Sequence, residues 1–204
     1  MDRMLDAAFL CVQTVCTLYQ IDESHAMKHA MDVLSFTMKS YLFHEQRFPW
    51  LRNQQRILYA AAIVHDMCDK KYMTETDGLT LIHTYLHPHF TPEELNQLNL
   101  IITTLSYSTV RTNGYPQLNE LQLGYHIVRE ADLLASYDID RCILYGIYRE
   151  HLSYSEALIR AVAMHHNRAL RYLADGVFIT EYGIAKAHEL HGLSIMNPLR
   201  RILE

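Results

Sequence analysis

His65 and Asp66 stand side by side at the end of a run with no polar face, Leu58-Tyr-Ala-Ala-Ala-Ile-Val64, and Asp69, Lys70 and Lys71 follow at once. A helix that is apolar all round belongs in the interior. A carboxylate at the inner end of such a helix is costly to ionise unless it is paired or bound to a metal. Neighbouring helical residues project about 100° apart, so one ion beyond the helix end can be shared by both side chains. The pattern predicts a buried helix whose last turn holds a cation. The dipeptide alone is weak, because His-Asp pairs also occur as surface and capping residues.

Two further polar residues interrupt apolar stripes of helical spacing. One stripe is Ala26, His29, Val33, Phe36; the other is Leu121, Tyr125, Val128, Asp132, Ala135. Both place the polar side chain toward the interior. A buried histidine is often a satisfied core residue, whereas a buried aspartate needs a cation. Arg129, one turn before Asp132, is the alternative partner to a metal. Two imidazoles and two carboxylates with no thiolate suit Mn²⁺, Fe²⁺, Co²⁺, Ni²⁺ or Mg²⁺.

The elements that must position these residues are all helical by periodicity. Helices are predicted over about 2–20, 25–45, 53–65, 91–106, 119–137, 153–173 and 181–193, with a further short one running to about Leu86 after Thr74-Glu-Thr-Asp-Gly78, which reads as a turn or cap. Asp22-Glu-Ser24 reads as a start signal for the second. Thr91-Pro-Glu-Glu94 combines an N-cap hydroxyl, a proline at the first helical position and acids facing the dipole. Ser153-Tyr-Ser-Glu156 is a capping box. Asn119 is expected to cap its helix, and the Tyr107–Tyr115 region reads as loop. With no period-2 strand, repeat or low-complexity linker, the expectation is an all-α, single-domain bundle spanning residues 1–204, its core at about 22–136 and C-terminal helices 140–204 packed on it.

Composition bounds the function. A chain of 204 residues supports one substantial core. The net charge of −5, without long runs of either sign, argues against a general nucleic-acid surface. Cys11, Cys16, Cys68 and Cys142 form no CxxC pair and read as reduced thiols of a cytoplasmic protein. No stretch reads as a signal peptide or membrane span.

The order His29, His65-Asp66, Asp132 resembles the HD-domain superfamily of metal-dependent phosphohydrolases. The likeness extends to His29-Ala-Met-Asp-Val33, to Ala61-Ala-Ile-Val-His-Asp66 and to Ile127-Val-Arg-Glu-Ala-Asp132-Leu-Leu. It runs from about Asp22 to Ser136, and more weakly through His165-His166 and Thr180 to His188. The resemblance implies a helical bundle holding one divalent metal ion on His29, His65, Asp66 and Asp132. It implies hydrolysis of a small phosphorylated substrate, expected to be a nucleotide. Asp69 matches the acid that the family places beside the metal, where it would move a proton. Lys71 completes a His-Asp-x-x-Asp-x-Lys pattern that recurs in similar hydrolases and would contact phosphate. His25, one turn before His29, would contact the metal's water or the phosphate, or simply sit in the first turn. Arg111 and Arg129 are further cations, for which surface positions are expected.

The chain departs from the family after its last aspartate. Leu133 and Tyr137-Asp-Ile-Asp140 replace an arginine and a glycine-rich segment that small relatives often carry, which leaves the substrate pocket open. Two other readings compete. An HD-fold di-iron oxygenase would need ligands from His83, His87 and His89. A non-catalytic nucleotide-binding module would keep the fold without turnover. A homo-oligomer paired through helical faces is compatible with each.

Overall fold

The computed structural model describes the backbone of residues 1–203 and the side chains through Ser194. Among these residues all regular structure is helical, with ten α-helices and no strand. α1 (Asp2–Tyr19) buries Met4, Ala8, Cys11, Val12 and Val15. Its predicted stripe is rotated at the C-terminal end, where Leu18 is exposed. α2 (Met27–Glu45) begins two residues later than expected. Asp22-Glu-Ser24 is a turn before the helix, in which the Asp22 carboxylate accepts the Ser24 N–H.

α3 (Gln55–Val64) is the centre of the bundle. Every residue from Ile57 to Val64 is buried, because α1, α2, α5 (Pro92–Thr104) and α7 (Gln122–Ala135) surround it. The sequence thus reads correctly as a helix without a polar face. Thr74 caps α4 (Glu75–Leu86), and the Thr91–Glu94 capping box opens α5. α6 (Tyr107–Asn113) stands where a loop was expected. It is held by a Ser106 cap and buries none of its residues, so no apolar stripe announces it. Asn119 opens a 3-10 turn at a φ of 49° rather than capping α7.

α7 lies against α2 and α3 and is buried at eleven of its fourteen residues. Beyond it α8 (Ile139–Glu150), capped by Asp138, pairs with α9 (Tyr154–Asn167) as a hairpin with its own small apolar cluster. α9 stops at Asn167, short of the predicted 173, and a 3-10 turn follows. α10 (Glu181–Leu203) packs back on α7 and α2 and runs ten residues past its predicted end.

Two buried charges on α7 tie α10 to the bundle. Glu130 accepts the Ile179 N–H at 2.6 Å, the Thr180 N–H at 3.1 Å and the Thr180 hydroxyl at 2.5 Å. Arg129, expected at the surface or beside Asp132, is 1% exposed; it donates to the Val177 carbonyl at 2.8 Å and lies over the Tyr115 ring. Both groups meet the segment before α10, where backbone N–H and C=O groups would otherwise lack partners. Gly183 makes this approach possible, since a Cβ there would lie 1.9 Å from Glu130 Oε2. Gly183→Ala is therefore expected to cost about 2–3 kcal/mol by overpacking a buried hydrogen-bonded carboxylate. Urea denaturation measures it, and an unchanged midpoint would contradict this packing.

Candidate metal centre

Three elements bring the sequence-identified ligands to one point. His29 lies in the first turn of α2, His65 and Asp66 follow the last residue of α3, and Asp132 lies in α7. His29 Nε2 and His65 Nε2 are 3.0 Å apart. Asp66 Oδ2 stands 3.3 Å from the first and 3.4 Å from the second. Asp132 Oδ1 stands 3.4 and 3.6 Å from the same two nitrogens. His29, His65 and Asp66 form the tightest set, each offering one donor atom within 4.8 Å of the others. Asp132 joins through its contacts with both imidazoles.

These spacings fit an ion better than they fit a hydrogen-bond network. Donors about 2.1 Å from a common cation are separated by about 3.0 Å at right angles and about 3.4 Å at tetrahedral angles. Asp66 Oδ2, although buried among these atoms, has no hydrogen-bond partner. The His65 Nδ1–H points at the Ala62 carbonyl, 2.9 Å away, which turns Nε2 inward. A backbone carbonyl holding the outer imidazole nitrogen is the usual way a ligating histidine is oriented. His29, His65 and Asp66 therefore fit a divalent ion as placed, and Asp132, which contacts both imidazoles but lies outside that set, is the fourth candidate ligand.

The electrostatics point the same way. Burial alone would lower the pKa of His65, but the Asp66 carboxylate beside it and the close approach of both Asp132 and Asp66 oxygens hold it well above the ordinary value. Burial would raise Asp66 and Asp132. The adjacent His65 charge and the close approach of the His29 and His65 nitrogens outweigh it for Asp66, and the approach of the same two imidazoles does so for Asp132. Two carboxylates confined this closely demand positive charge, which either a proton on His65 or a metal cation supplies. Their side chains keep 18% and 23% exposure, so the centre opens to solvent.

Around the opening the structure places the other candidates. Asp69 Oδ1 accepts the Lys71 N–H at 2.9 Å, and its Oδ2 is 3.2 Å from Lys71 Nζ. The partner of Asp69 is thus Lys71; Lys70 pairs with Glu75 instead. Lys71 is half-exposed at the rim. His25 lies in the turn before α2 yet still meets the His29 ring edge-on, with centroids 6.4 Å apart. Its Nδ1 is 2.6 Å from the Ser24 hydroxyl and 3.1 Å from that of Tyr72. Burial pushes the His25 pKa down to about 4, with Asp66 opposing the shift, so the ring is neutral near pH 7.

Arg141 of α8 also reaches the centre, a residue that sequence reading missed. Three further histidines make contacts of their own. His83 bonds Asn99, and His87 Nδ1 is 3.3 Å from the Thr84 carbonyl. Buried His165 packs on Tyr137. Arg111 is exposed on α6. No helix among the described residues is long and apolar enough to cross a membrane.

No family model matches the chain, and no curated protein matches it. Among solved structures it is similar to the crystal structure of a Lactobacillus plantarum protein determined as a structural-genomics target. The TM-score is 0.67 at 15% identity, over 100% of this chain and 99% of that one. At that identity the likeness establishes the fold alone.

Proposed function

We propose that this chain is a metal-dependent phosphohydrolase of the HD-domain type. Its substrate is a small phosphate ester or phosphoanhydride, with a nucleotide as the expected class. The observation that carries the reading is a pair of imidazole nitrogens 3.0 Å apart, each 3.3 to 3.6 Å from a carboxylate oxygen of Asp66 and of Asp132, brought together from three separate elements.

His29, His65, Asp66 and Asp132 would hold the ion. A divalent cation bound there acidifies water and offsets charge on a phosphoryl group. Asp69 is then the residue that moves a proton between water and leaving group, from a position three residues past Asp66 at the rim. Its contact with Lys71 ties the two rim groups together. Lys71 supplies a cation to the phosphorylated substrate from the outer side. His25, neutral, contributes hydrogen bonding rather than charge.

Elemental analysis of the purified protein, followed by assay of the manganese-loaded form against nucleotides and phosphomonoesters, tests the proposal. The expected result is one divalent ion per chain and release of phosphate or pyrophosphate. Two irons per chain would favour the oxygenase, and tight nucleotide binding without turnover would favour the binding module. A metal-loaded protein inert across the panel defeats the hydrolase reading.

A further inference from the structure

α8 carries its apolar residues Ile139, Ile143 and Gly146 toward α9, where a Cβ on Gly146 would stand 3.0 Å from the Cβ of Ala157. Two residues on from Ile139, about 200° round the helix, Arg141 faces the other way. The Arg141 side chain is only 16% exposed. Its Nε donates to the carbonyl of buried Ser24 at 2.7 Å, and its NH2 stands 3.9 Å from Asp66 Oδ2. One turn on, Tyr145 meets the His25 ring with centroids 5.9 Å apart. α8 therefore closes one wall of the metal centre. Arg141 is a cation fixed at one nitrogen, with the far edge of its guanidinium turned to the ligand cluster. At 3.9 Å it is beyond hydrogen-bond reach of Asp66.

We infer that Arg141 is the residue that binds the substrate's phosphoryl group, and that this group is a phosphomonoester or terminal phosphate rather than a phosphodiester. The inference rests on the phosphohydrolase reading above. With Nε committed to Ser24, the free edge of the fork offers one N–H from each terminal nitrogen, a pair that engages two oxygens of one phosphoryl group. With two oxygens taken by the fork, a third is left to face the ligand cluster. Three unesterified oxygens exist on a monoester, whereas a diester has two. The bond to Ser24 also determines where the fork sits, so it is preorganised before the anion arrives. Lysine in its place would keep the charge but present a single point donor.

The test compares binding of inorganic phosphate and dimethyl phosphate to the manganese-loaded protein by calorimetry, in the unaltered chain, Arg141→Gln and Arg141→Lys. Metal content and melting temperature are measured in parallel. The unaltered chain is expected to bind phosphate and to discriminate against dimethyl phosphate. Arg141→Gln is expected to weaken phosphate binding about 10- to 100-fold, the loss of a charge-assisted pair. Arg141→Lys should recover only part of it, and both variants should retain manganese. Equal phosphate affinity in the unaltered chain and Arg141→Gln overturns the inference, as does equal binding of the diester. If Arg141→Gln does not fold, full phosphate affinity in Arg141→Lys overturns the bidentate assignment. Failure of the unaltered chain to bind manganese defeats the phosphohydrolase reading instead. The phosphate affinity ratio measured without metal then still decides the role of Arg141.

Discussion

Asp66→Ala is expected to bind manganese at least about 100-fold more weakly than the unaltered chain and to lose phosphate-releasing activity with it. Changes in the outer partners of metal ligands already cost about 10- to 100-fold, and removing a ligand costs more. Asp66 belongs to the tightest donor set, and its buried Oδ2 faces both imidazole nitrogens without a hydrogen-bond partner. Heat supplies an independent readout. At 100 times its dissociation constant an ion stabilises the folded state by about 2.7 kcal/mol. For a chain of this length that is a rise of roughly 5–11 °C in melting temperature. The rise should vanish in Asp66→Ala and on chelation of the unaltered chain. Asp69→Ala is the contrasting case: it should keep the ion and the thermal rise while losing turnover. Undiminished manganese affinity in Asp66→Ala would remove the metal centre from consideration.

Gly78→Ala should be among the most damaging single changes outside the centre. Gly78 sits in the first turn of α4, directly on the turn that follows His65 and Asp66. A Cβ there would meet the Met67 carbonyl oxygen at 2.5 Å and the Cys68 Cα at 2.6 Å. Both are backbone atoms, so no side-chain rotation relieves the clash. Alanine gains about 1 kcal/mol of helix propensity over glycine, but overpacking of a rigid contact costs about 1–3 kcal/mol and more where backbone must move. The net expectation is a loss of about 2 kcal/mol and a melting temperature lower by roughly 4–8 °C. Manganese affinity should fall as well, because residues 67 and 68 cannot shift without carrying Asp66. Gly192→Ala is the opposite-sign control. Its Cβ would meet nothing within 4 Å among the described residues on an exposed turn of α10, so propensity alone should raise stability by up to about 1 kcal/mol. Equal melting temperatures for the two variants would refute the packing argument.

The sequence by itself determined the helical class, the burial of α3 and the inward direction of His29, His65 and Asp132. Each follows from one-dimensional periodicity: an interrupted apolar stripe forces its polar member inside whatever the helix packs against. The Thr74, Thr91 and Ser153 caps were equally legible, since a cap is satisfied within four residues. α6 was not legible, because a helix that buries none of its residues has no stripe to read. Only the tertiary structure decided that Arg129 turns to Val177 and Tyr115 and that Glu130 anchors the start of α10. Arg141 is the clearest case. In sequence it lies between predicted helices, in a stretch where α8 itself was not predicted, and reads like any solvated arginine. Its value depends on Ser24, 117 positions earlier, and on Asp66, brought beside it when the α8–α9 hairpin closes over the centre. Periodicity fixes which face of a helix turns inward, but the partner that face meets is set by long-range packing, which no local pattern encodes.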